Sequence, residues 1–117
     1  MLKDCDYCDY ETCVALKELG FNALVDWYFN EDKRIVSSLA TYRDTYIPRI
    51  SLYEAQKWLR EERGMLLQPA YLELSDEWIC VIRDKNKRHG YSAQKQKNYE
   101  EALSEGIKKT IEILKEE

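Results

Sequence analysis

The chain predicts an α+β fold in the order α-β-β-α-β-β-α, with a four-stranded antiparallel sheet and helices packed on one face. Three observations lead there. Three segments open on a helix-capping residue, and two of them stop on a glycine. Two pairs of strand-like segments lie between them. Each helical segment has one apolar stripe to bury, and a sheet covered on one face provides for all three. With 117 residues there is enough chain for one core and too little for two ordinary ones. Residues 1–117 are therefore read as a single domain, with 1–8 a loosely ordered N-terminal segment.

The elements follow in order. Asp9 is placed to cap a helix opened by Tyr10-Glu11 and closed by Gly20. With Gly20 at C′, Leu16 and Phe21 become the apolar pair of a Schellman ending. Val25, Trp27 and Phe29 then alternate with Asp26, Tyr28 and Asn30, the pattern of a half-buried strand. A turn at Glu31-Asp32-Lys33-Arg34 leads into a second, antiparallel strand over residues 35–40. Tyr46-Ile47-Pro48-Arg49 reads as extended, because a residue before proline avoids helical angles.

Ser51-Leu52-Tyr53-Glu54 is a capping box, followed at helical spacing by Leu52, Ala55 and Leu59 and stopped by Gly64. A strand over residues 65–74 carries Pro69, which pushes it toward an edge or a bulge. Trp78-Ile79-Cys80-Val81-Ile82 is apolar on both faces and so reads as a central strand. Asn98-Tyr99-Glu100-Glu101 caps the last helix, whose buried face is Leu103, Ile107, Ile111 and Leu114. Leu16, Trp27, Leu59, Trp78, Ile107 and Ile111 are the expected core.

Composition narrows the function classes. Hydrophobic residues at 44% and charged residues at 34% fit a folded chain rather than a disordered one. No apolar run approaches the roughly 20 residues of a membrane span, and the first residues lack an apolar leader core, so a cytoplasmic protein away from membranes is expected. The net charge is −4, but it is unevenly spread. Between Arg83 and Lys97, six basic residues stand against Asp84 alone, a local charge of +5 that leaves −9 for the rest. A basic stretch of this size is commonly a solvated loop between elements. Arg83, Lys85, Lys87, Arg88, Lys95 and Lys97 with Tyr91 also make a candidate nucleic-acid contact, the bases for phosphates and the ring for stacking.

Catalytic chemistry finds little to stand on. His89 is the only histidine and sits in a turn-like Lys87-Arg88-His89-Gly90. No glycine-rich phosphate loop occurs, and the carboxylates follow capping and solvated-face patterns, so no catalytic residue, no cofactor and no enzyme activity are expected. Cys5-x-x-Cys8 has the spacing of half a zinc site, which Cys13 and Cys80 would have to complete. The second knuckle is missing, since Cys80 stands alone in an apolar strand and Cys13 falls within a helix. Ordinary reduced thiols are the expectation, with a redox role for Cys5 and Cys8 the alternative. Tyr28, Tyr42, Tyr46, Tyr53, Trp58 and Tyr71 are more rings than a small core holds, which favours a protein partner or self-association, a dimer included.

The run Ile50-Ser51-Leu52-Tyr53-Glu54-Ala55-Gln56-Lys57-Trp58-Leu59-Arg60-Glu61-Glu62-Arg63-Gly64 resembles the "AQKWLREEKG" stretch of small proteins of unknown function from Bacteroidetes, encoded in phage-like or mobile elements. Ala15-Leu16-Lys17-Glu18-Leu19-Gly20-Phe21 and Tyr99-Glu100-Glu101-Ala102-Leu103 with Gly106 are similar to that group in order and spacing. The resemblance spans residues 10–115 or so and implies a phage-like or mobile-element origin. It brings no activity and no site residues, and neither the cysteine-rich start nor the basic segment is part of it. A non-catalytic binding or assembly module is the reading that results, with a nucleic-acid-binding accessory protein as the alternative.

Overall fold

A computed structural model describes residues 2–38 and 43–116 of the chain. The fold is α+β, and the chain forms two compact units, residues 1–51 and 52–117.

In the first unit a 3-10 turn at Asp4–Asp6 precedes α1 (Tyr10–Glu18). Asp9 caps α1 as expected, its carboxylate accepting from the Thr12 amide at 2.8 Å. That satisfies one of the donors a helix start leaves without a partner. The far end is a Schellman closure. Gly20 adopts a φ of +109°, its amide donates to the Lys17 carbonyl, and the Phe21 amide donates to the Leu16 carbonyl. Leu16 and Phe21 are both buried, as that ending favours.

β1 (Trp27–Phe29) and β2 (Ile35–Ser37) pair antiparallel across a turn in which Asn30 Oδ1 accepts from the amides of Asp32 and Arg34. β3 (Ile47–Pro48) pairs with the other side of β1, giving the order β2-β1-β3. Residues 39–40, which the sequence reading put in the second strand, and Tyr42 lie outside the described residues. Lys17 Nζ donates to the carbonyls of Asp44 and Tyr46 and so ties the entry to β3 onto α1. At the start of the chain the Cys8 amide donates to the Ile50 carbonyl, Tyr7 bridges Ser51, and the Arg49 guanidinium lies 3.8 Å from the Tyr7 ring centre.

Trp27 is a correction. It is 42% exposed rather than core, whereas Phe29 is half-buried with its ring 5.2 Å from that of Tyr10. Strands of two or three residues offer only about 10 Å of face. Phe29 takes the part next to α1, and the alternation reading had assumed a longer face.

In the second unit α2 (Leu52–Arg63) ends at Gly64, whose φ of +67° is left-handed as predicted. β4 (Met65–Leu72), β5 (Glu77–Asp84) and β6 (His89–Ser92) form an antiparallel sheet in the order β4-β5-β6. β4 lies at the edge with Pro69 in it, and the doubly apolar β5 is central, both as read. α3 (Tyr99–Lys115) starts on Asn98, whose side chain accepts from the Glu101 amide at 2.8 Å. Leu103, Ile107, Ile111 and Leu114 are all buried, and so are Leu16 and Leu59, while Trp78 is half-buried.

α3 packs closely on β5 at one place. A Cβ added to Gly106 would stand 2.3 Å from Cys80 Sγ and 3.5 Å from Leu67 Cδ2. Cys80 and Leu67, with Ile82 opposite Leu67, therefore define the helix-covered face of the sheet. The Thr110 hydroxyl, buried in the same core, donates to the Gly106 carbonyl at 2.8 Å. Leu66, Gln68, Val81 and Arg83 alternate onto the opposite face and are half-buried or exposed.

The single four-stranded sheet is not what forms. Among the described residues six strands make two sheets of three. The two hairpins expected in sequence exist, but Ile47–Pro48 and His89–Ser92 are strands as well. They occupy the free edges of β1 and β5, so each of those strands is central within its own sheet. The sequence reading had left the first as merely extended and the second inside a loop.

Candidate nucleic-acid interface

The basic segment 83–97 is a hairpin and its exit rather than a loop. Arg83 is the penultimate residue of β5, residues 85–88 turn the chain, and β6 returns with Arg83 opposite Gly90 and Asp84 opposite His89. The turn is held at three points. Asp84, almost wholly buried, spends its carboxylate on the amides of Asn86 and Lys87, at 3.0 and 3.3 Å. The Lys85 amide donates to the Gly64 carbonyl at 3.0 Å. The Asn86 side chain rests against Gly64, where a Cβ would come within 3.1 Å of Nδ2. The one acidic group of the segment is thereby turned inward onto backbone amides, while Lys85, Lys87, Arg88 and His89 are exposed.

Lys85, Arg88 and His89, but not Lys87, border a concavity of about 660 Å³. Leu66 and Val81 line it together with Arg83, Asp84, Lys85, Arg88, His89 and Tyr91, and Gly90 and Ser92 contribute at the β6 side. His89 and Tyr91, two apart on one strand, bring their rings to 4.7 Å in an edge-to-face arrangement. Tyr91 is half-buried beside Ile82, its partner across the ladder. Arg88 takes a φ of 51° to close the turn. The arrangement can hold an anion among exposed cations over a partly apolar floor, a combination that suits a phosphate and its attached ring.

The structure gathers only part of the predicted set. Lys95 and Lys97 are exposed but flank Gln96, which is paired with Trp78 through two backbone bonds of 2.7 Å. Trp78 and Asp84 lie at opposite ends of β5, roughly 20 Å apart at strand rise. Lys95 and Lys97 thus belong to the end where the rings of Tyr71, Trp78 and Tyr99 meet at 5.4 and 5.5 Å. His89 is the group that sequence reasoning passed over. The signal was available in its spacing of two from Tyr91, which puts both rings on one side of a strand.

The cysteines are distributed over both units. Cys5 is exposed, Cys8 and Cys13 are buried in the first unit, and Cys80 is buried in the second beside Gly106. Among the described residues no group of three or more His, Cys, Asp or Glu side chains is arranged to hold a metal ion. Burial pushes the Cys80 thiol up to about 11, which keeps it protonated and unreactive at neutral pH. Among the surplus aromatics, Tyr53 and Tyr71 are exposed, whereas Tyr28, Tyr46 and Trp58 are half-buried. No helix among the described residues is long and apolar enough to cross a membrane. No family model matches the chain, and no curated protein or solved structure matches it.

Proposed function

We propose that this protein is a non-catalytic binding module that takes up nucleic acid on the β5–β6 hairpin. The observation that carries this reading is the placement of Arg83, Lys85, Arg88 and His89 around one concavity, whose one carboxylate, Asp84, is engaged by the amides of Asn86 and Lys87. Phosphates would sit between the cations, and an unstacked base would reach round the β6 edge to the His89–Tyr91 rings, which the register sets on the other face of the sheet. A single strand suits this better than a duplex, because its bases are free to reach a ring. The phage-like or mobile-element origin implied by the resemblance of residues 50–64, and a reducing cytoplasmic compartment for the four thiols, belong to the same proposal.

Fluorescence anisotropy of a labelled single-stranded oligonucleotide, titrated at several salt concentrations, tests it. Three phosphate contacts give a log–log salt slope of about −2 for a single strand. The Arg83→Ala, Arg88→Ala double variant should lose most of the affinity, and Lys95→Ala, Lys97→Ala much less. No binding at low ionic strength, or equal losses from the two double variants, overturns the assignment.

Self-association is the second reading, and a specific observation favours it. Tyr71, near the end of β4, and Leu74, in the β4–β5 turn, are 48% and 106% exposed. Light scattering over a concentration series should show a dimer that Leu74→Asp disrupts.

A further inference from the structure

The Cys5-x-x-Cys8 spacing draws attention to the wrong pair. With Asp9 as the cap of α1, Cys8 is the residue just before the cap and Cys13 is the fourth residue of the helix. These are the two positions of a hydrophobic staple, in which apolar side chains meet across a helix start. In this chain both members of the staple are thiols.

The pair is enclosed. Cys13 is fully buried and Cys8 only 4% exposed. The Cys13 thiol donates to the Cys8 carbonyl at 3.7 Å and accepts from the Ile50 amide at 3.4 Å. A hydrogen bond from the Cys8 side chain holds the Cys13 thiol below its ordinary range, against the opposing effect of burial. Cys8 is itself fixed by its amide bond to the Ile50 carbonyl. The cap, the helix and the strand-like partner at residues 50–51 thus hold the Cys13 sulfur against residue 8.

We infer that the Cys8–Cys13 staple is a modification site, closed into a disulfide by a hydroperoxide. Cys8, the less completely buried member, passes its proton along the hydrogen bond to Cys13 and attacks one peroxide oxygen as the thiolate. The O–O bond breaks, Cys8 becomes a sulfenic acid, and the departing hydroxide is protonated to water. The Cys13 thiolate, stabilised by the Ile50 amide, then attacks the Cys8 sulfur; the S–S bond forms and the S–O bond breaks. The second hydroxide leaves with a proton as water. Two thiols and one hydrogen peroxide give one disulfide and two waters. Closure covalently pins the start of α1 to the segment before it, without involving Cys5 or Cys80.

Hydrogen peroxide treatment of the whole native protein, followed by alkylation and chymotryptic mapping, tests the inference. Cleavage after Tyr7 and Tyr10 separates the three N-terminal cysteines. The expected product is a Cys8–Cys13 cross-link, reversed by dithiothreitol and exceeding any Cys5–Cys8 cross-link by at least about tenfold. Cys5→Ser, which changes an exposed side chain, should leave the yield unchanged. In urea the preference for Cys13 should disappear. A dominant Cys5–Cys8 disulfide, a cross-link lost in Cys5→Ser, or oxidation that adds oxygen without any cross-link would each overturn it.

Discussion

The two units are built from the same kinds of element but at different scales. In the first, strands of two or three residues surround a nine-residue helix, and the register is maintained by side-chain ties such as Lys17 to the carbonyls of residues 44 and 46. In the second, eight-residue strands meet a seventeen-residue helix whose buried face runs from Ala102 to Leu114. Short strands cannot bury large rings, so Trp27 is left exposed in one unit. Long strands with a close helix approach allow fully dry positions, such as Ile82 and Cys80 in the other. Apolar burial dominates the second unit, and local hydrogen bonding carries more of the order in the first.

The sharpest test of that contrast is a pair of core truncations. Ile107→Ala should cost about 2–5 kcal/mol in urea unfolding, toward the upper end, because its surroundings are rigid. Leu16→Ala, equally buried, should fall toward the lower end, since short strands relax into the space. Equal costs would remove the distinction. Next comes Gly106→Ala. The added methyl gains roughly 1 kcal/mol of helix propensity, and the clash with Cys80 costs about 1–3 kcal/mol, so a net loss is expected. Combining it with Cys80→Ala should recover part of the loss, and a purely additive double variant would contradict the close packing.

The capping residues rank below these. Asp9→Ala and Asn98→Ala should each cost about 1 kcal/mol, measured by thermal melts. Trp27→Ala should stay within about 0.5 kcal/mol if its exposure holds in solution. A pH dependence is expected as well. The folded Cys80 thiol sits above its ordinary value of 9.0, at about 11, because burial disfavours the thiolate. An acid raised on folding contributes stability below its unfolded value and loses it as pH climbs through the folded one, so stability should fall between pH 9 and about 11. Cys80→Ala should flatten that slope. Tyr71, raised chiefly by its hydrogen bond to Asp76, should ionise later than the other tyrosines by ultraviolet titration, and earlier in Asp76→Asn.

Local chemistry was legible residue by residue. Asp9, Gly20, Gly64, Pro69 and Asn98 each act within a few residues of themselves, and each does in the structure what its surroundings imply. The apolar run Trp78–Ile82 announces a central strand for the same reason. The site was only half legible. Arg83, Lys85 and Arg88 are brought together because a tight turn follows Asp84, but Lys95 and Lys97 part from them because the chain continues along the sheet. The Cys8–Cys13 contact was visible in principle, through the Asp9 cap, and was masked by the more familiar two-residue cysteine spacing.

Helix starts, helix ends, the type and order of the main elements and the uneven charge were thus within reach of the residues alone, since capping, periodicity and charge are short-range properties. Which strand edges are occupied was not. A two-residue strand such as Ile47–Pro48 or a glycine-containing one such as His89–Ser92 has too few side chains to announce itself. Its pairing is decided by whether a neighbouring strand presents unsatisfied amides and carbonyls at the right place. That condition exists only once the chain has folded back on itself, and here it turns the expected single sheet into two.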